Sequence, residues 1–87
     1  MYTKFKFAVE LKDNIENGVS PAAIGEWAYT IYLKNCENNY VDEALNTLLL
    51  ELNHMSNGPE FELSKANLLE ISKLIIEGKD VDIDKYF

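Results

Sequence analysis

Apolar residues return at three- and four-residue steps along most of this chain, the period of a helix that buries one face. Phe5, Ala8, Leu11 and Ile15 predict a first helix over residues 3–17, stopped by Asn17 and Gly18. Lys6 with Glu10 and Lys12 with Glu16 form i,i+4 pairs on its wet face. Ser20 followed by Pro21 marks the next start, because a serine oxygen accepts an orphan backbone N–H and proline at the first helical position has no donor to waste. The second helix then runs to about Asn35 and buries Ile24, Trp27, Ala28 and Ile31.

Gly25 interrupts that helix at a cost of about 1 kcal/mol relative to alanine; either it permits a close helix contact, the reading favoured here, or it is merely tolerated. Asn35 to Asn39 reads as a loop. Val41, Leu45, Leu48, Leu52 and Met55 then mark a third stripe, widened by Ala44 and Leu49, with Asp42 and Glu43 in the first turn and His54 in the last. Ser56, Asn57, Gly58 and Pro59 are the clearest break. Glu60, Phe61, Glu62 and Leu63 alternate strictly, as an extended segment does, so Glu60 and Glu62 face one side while Phe61 and Leu63 anchor the other. Ser64 caps a fourth helix to about Glu77, with Leu68, Ile71, Leu74 and Ile75 inward and Gly78 past its end.

These elements predict an all-α fold, a compact antiparallel bundle of four helices with an extended acidic loop before the last and with Trp27 and Phe61 as its large fillers. A small sheet formed by the two alternating segments is the competing arrangement. Residues 1–87 are expected to form a single domain, with 79–87 an extended C-terminal arm or a short capped turn. Hydrophobic residues make up 47% of the chain, enough for a core. No apolar run approaches the ~20 residues that span a bilayer, and Lys4, Lys6 and Glu10 break up the first residues. A cytoplasmic protein without membrane contact is the expectation.

Charge and chemistry narrow the function classes. Fifteen acidic residues against eight basic ones give a net charge of −7, and every basic residue is a lysine. Without arginine the chain lacks the planar fork that grips phosphate, so direct nucleic-acid binding is disfavoured and a basic partner favoured. The charge also serves solubility. Cys36 has no second cysteine to pair with, and His54, the lone histidine, stands a loop and most of a helix away from it, a spacing that carries no nucleophile motif. Asp80, Asp82 and Asp84 match the first ligand spacings of a calcium loop, but Lys85 stands where its glycine belongs and no twelfth-position glutamate follows. There is no phosphate-binding glycine loop and no HExxH. Neither catalysis nor a cofactor or metal is expected.

An arginine-free acidic helical chain with a Ser20-Pro21 helix start, Trp27 and the segment Gly58-Pro59-Glu60-Phe61-Glu62-Leu63 resembles the bacterial toxin immunity proteins that accompany colicin-type and contact-dependent-inhibition nuclease toxins. The resemblance implies a chain that binds and neutralises a cognate nuclease by covering its basic groove. Charge and loop position nominate Glu60 and Glu62, then Asp42 and Glu43, then Asp80, Asp82 and Asp84 as its contacts, with Tyr40 as an aromatic anchor. The alternative is a structural or regulatory adaptor whose helices form part of a homo-oligomer or a larger complex.

Overall fold

The computed structural model describes residues 3–38, 42–58, 60, 62–82 and 85–86. Each helix begins where the chemistry of its first turn demands. The hydroxyl of Thr3 accepts from the Lys6 amide at the head of α1 (Lys4–Glu16), and that of Ser20 accepts from Ala23 at the head of α2 (Pro21–Glu37). The Asp42 carboxylate accepts from Leu45 before α3 (Glu43–Asn53), and Ser64 accepts from Asn67 before α4 (Lys65–Ile76). A 3₁₀ turn, His54–Asn57, extends α3 and carries the buried Met55. Gly18 and Gly78 follow the ends of α1 and α4 with φ of 80°, a left-handed conformation that glycine adopts without strain. No strand occurs among the described residues, so the alternating segments do not pair as a sheet there.

Two close helix pairs make the fold: α1 packs along α4, and α2 packs along α3 and its 3₁₀ extension. Lys4 lines a cleft with Ile75 and Lys79, while Ile15 lines another with Lys65 and Leu68, so α1 and α4 are antiparallel. Asn35 bonds to Asn46, and Gly25 faces Leu52 and Ser56, so α2 and α3 are antiparallel too. The helices therefore alternate in direction. One end of the bundle gathers the starts of α1 and α3 with the ends of α2 and α4; the other gathers the opposite termini. The radius of gyration is 11.9 Å, matching the roughly 12 Å of a compact chain this long.

The core holds Phe7, Leu11, Ile24, Leu45, Leu49, Leu52, Met55, Leu68 and Ile71, each at most 1% exposed. Burial corrects the first stripe: Phe5 is 57% exposed, and Phe7 is the phenylalanine inside. The five apolar residues from Phe5 to Leu11 spread over more than half of the circumference of α1, wider than one buried face, so the packing partner decides, and Phe7 stacks on Trp27 with ring centroids 5.1 Å apart. Trp27 is half-buried at this junction; Val41 and Phe61 lie outside the described residues. Ala44 is exposed and Leu74 half-buried. Gly25 serves close packing, because a β-carbon there would sit 2.9 Å from the Leu52 carbonyl oxygen.

The stretch after α4 is a docked turn rather than a free arm over its described residues. Val81 and Tyr86 pack on the core, and the Lys85 amide donates to the Asp82 carbonyl at 3.2 Å. Burial, then a hydrogen bond to Glu70, raises the pKa of the Tyr86 hydroxyl above its ordinary 10.0.

Candidate functional site

The carboxylates nominated by sequence divide between the two ends of the bundle. Glu43 opens α3, and Asp80 follows α4; both line a cleft of about 460 Å³ with Lys4, Thr47, Ile75 and Lys79. Two lysines in that lining offset two carboxylates, so the cleft is locally balanced. Asp82 is exposed nearby in sequence. Asp42 has a prior engagement, since its carboxylate caps α3 at 3.0 Å from the Leu45 amide. It is a helix cap before it is a contact residue.

Glu60 and Glu62 belong to the other end, beyond the 3₁₀ turn and just ahead of α4. The twelve residues of α4 separate them from Asp80 by roughly 18 Å of helix. The expected projecting pair is corrected at Glu60: this residue lies in a 3₁₀ turn, and its carboxylate folds back over Gly58, where a β-carbon would meet Glu60 Oε2 at 2.8 Å. A turn shortens the chain, so strict two-sided alternation does not carry through that position. Glu62 is exposed, and Leu63 is 5% exposed and anchors the segment as expected. Tyr40 and Asp84 lie outside the described residues.

Cys36 and His54 stand at opposite ends of the α2–α3 pair. The antiparallel register set by Asn35–Asn46 puts Cys36 level with the start of α3, whereas His54 follows its last residue, about 14 Å further along the axis. The imidazole Nδ1 lies 3.8 Å from Glu51 Oε2. No group of three metal-ligating side chains occurs among the described residues.

A feature that charge and loop position did not nominate lies on α2. Tyr29 and Leu33 are 40% and 45% exposed, and Leu50 on α3 is 38% exposed. The Tyr29 and Tyr32 rings stack at 6.1 Å and 18°. A hydrogen bond with the Cys36 side chain, followed by its electrostatic influence, raises the pKa of the Tyr32 hydroxyl above 10.0. The signal was present as the spacing 29, 32, 33, 36, an apolar stripe beside the core stripe 24, 28, 31 of the same helix.

No family model matches the chain, and neither a curated protein nor a solved structure shows significant similarity to it. No helix is long and apolar enough to cross a membrane among the described residues.

Proposed function

We propose that this chain is an immunity-type inhibitor that binds a cognate nuclease toxin and covers its basic groove. One observation carries the reading: Glu43 on the capped start of α3, Glu60 and Glu62 on the connection before α4, and Asp80 and Asp82 just past α4 all stand exposed, in a chain of net charge −7 without arginine. Fixed carboxylates on a rigid scaffold offer a basic groove the charge that phosphate would bring, and they steer the encounter before contact. Inhibition on this account is steric and electrostatic. On this reading the chain contributes no catalytic group and does not touch nucleic acid.

The test is nuclease inhibition by the purified chain, using a nuclease domain encoded beside its gene. Stoichiometric inhibition that weakens as salt rises is expected, because the encounter is between opposite charges. Charge reversal by Glu60→Lys with Glu62→Lys, or by Glu43→Lys with Asp80→Lys, identifies the end that makes contact; loss of at least tenfold in affinity from one pair is expected. Full nuclease activity at saturating concentrations of the chain would sink the reading.

The adaptor reading is favoured by a separate observation, the exposure of Phe5 and Val9 one turn apart on α1. It requires an assembly, so sedimentation as a monomer at all concentrations counts against a homo-oligomer.

A further inference from the structure

We propose that the outer seam between α2 and α3 is a docking surface for a basic protein segment that presents apolar side chains between its cations. The proposal rests on the reading of the chain as an inhibitor of a basic toxin and adds to its end carboxylates an apolar surface that runs alongside Glu43. Gly25, Tyr29, Tyr32 and Cys36 fall on one helical stripe at spacings of four, three and four. Gly25 faces the α3 backbone, so this stripe lies along α3. On α3, Asn46, Leu50 and Asn53 form the matching stripe, in which Asn46 bonds to Asn35 and the Asn53 carbonyl faces Gly25. The antiparallel register sets Leu50 level with Tyr29 and Leu33. Three exposed apolar side chains therefore flank one seam.

The rim is what selects the occupant. Glu26 and Glu37 bracket Leu33 on α2, and Glu43 precedes Leu50 by two turns on α3; all three are exposed. Lys34 is the only lysine within either helix. A second copy of this chain would bring the same carboxylates face to face, and an anionic lipid or nucleic-acid backbone would meet them too. A basic protein meets neither obstacle, since its cations face the glutamates while its apolar side chains cover Leu33 and Leu50. The aromatic centre is preorganised by the Tyr29–Tyr32 stack, so little side-chain freedom is lost on docking.

The probe is a synthetic amphipathic peptide with leucines on one helical face and arginines beside them, titrated into the isotope-labelled full chain. A companion peptide has serine in place of each leucine. Amide shift changes concentrated at residues 29–36 and 50 are expected, with at least tenfold weaker binding by the serine peptide and by Tyr29→Ala or Leu33→Ser. Spectra of the free variants report that they remain folded. The inference is overturned by absent binding, by equal binding of the two peptides, by shifts centred on Glu62 or Asp80, or by a dimer through this face. Nuclease inhibition separates the two claims. Inhibition undiminished in Tyr29→Ala and Leu33→Ser rejects the surface and leaves the inhibitor reading; peptide docking at the seam without nuclease inhibition does the reverse.

Discussion

A β-carbon on Gly25 would lie 2.9 Å from the carbonyl oxygen of Leu52, with the Ser56 amide nitrogen at 3.1 Å and the Asn53 oxygen at 3.3 Å. All three are backbone atoms of the neighbouring segment, so none can swing aside as a side chain would. Alanine would gain about 1 kcal/mol of helix propensity, yet overpacking of this kind costs about 1–3 kcal/mol. Gly25→Ala is therefore expected to lower the denaturation midpoint despite improving the local helix. Urea unfolding followed by circular dichroism measures it; a more stable variant would show that the helices separate at little cost.

Phe7 and Trp27 tie the two helix pairs together, since the first belongs to α1 and the second to α2, with rings 13° from parallel. Phe7→Ala removes a fully buried ring at about 3–5 kcal/mol, a large part of the 5–15 kcal/mol that holds a typical domain. Trp27 is the sole tryptophan, so its fluorescence reports the junction directly. A shift to longer wavelength in Phe7→Ala, with Phe5→Ala nearly silent, is the expected pair of results.

Asp42 separates folding from binding. Asp42→Ala removes the cap on α3 and should cost about 1 kcal/mol, or roughly 4–8 °C in melting temperature for a chain of this size. Asp42→Asn keeps a good capping oxygen and removes the charge, so its melting temperature should stay near wild type. If the two variants melt alike and both low, the charge rather than the hydrogen bond stabilises the helix start.

Tyr86 carries a pH dependence of definite sign. Its hydroxyl is held above pKa 10.0, first by burial and then by the bond to Glu70, so the folded chain favours the neutral phenol. That contribution is fully present below pH 10 and is lost as pH rises through the folded value. The stability difference between wild type and Tyr86→Phe should therefore shrink in alkaline solution, read from melting curves at neutral and high pH. A difference that grows with pH would contradict the assignment.

Much of the fold was legible because helix starts are local chemistry. Ser20 with Pro21 and Ser64 announced α2 and α4 at the residues where they begin, and Gly25 signalled a close contact before its partner was known. Phe5 and Phe7 were not separable on one helix crowded with apolar residues, since only Trp27 distinguishes them. Nor did the chain announce that α1 lies against α4. Short loops favour sequence neighbours, whereas the pairing depends on which faces fit. The carboxylates were legible as exposed; their division between two ends was not, because it follows from the alternating helix directions. Alternation around Glu60 suggested extended chain, but Glu60 lies in a 3₁₀ turn with its carboxylate folded over Gly58; in the final residues alternation left an extended arm and a capped turn both open, and only the packing of Val81 and Tyr86 on the core distinguishes them.

The pairing of α1 with α4 and of α2 with α3 also sets the order in which structure can accumulate. The α2–α3 hairpin closes across a connection of a few residues, a small loss of chain entropy, while α1 reaches α4 only by closing a loop that contains everything between them. Local contacts form on faster timescales than distant ones. Substitutions between α2 and α3, such as Ala28→Gly or Leu45→Ala, should slow folding, whereas substitutions between α1 and α4, such as Leu11→Ala or Ile71→Val, should mainly hasten unfolding. The helix pair that bears the tyrosine surface would thus be the first part of the molecule to assemble.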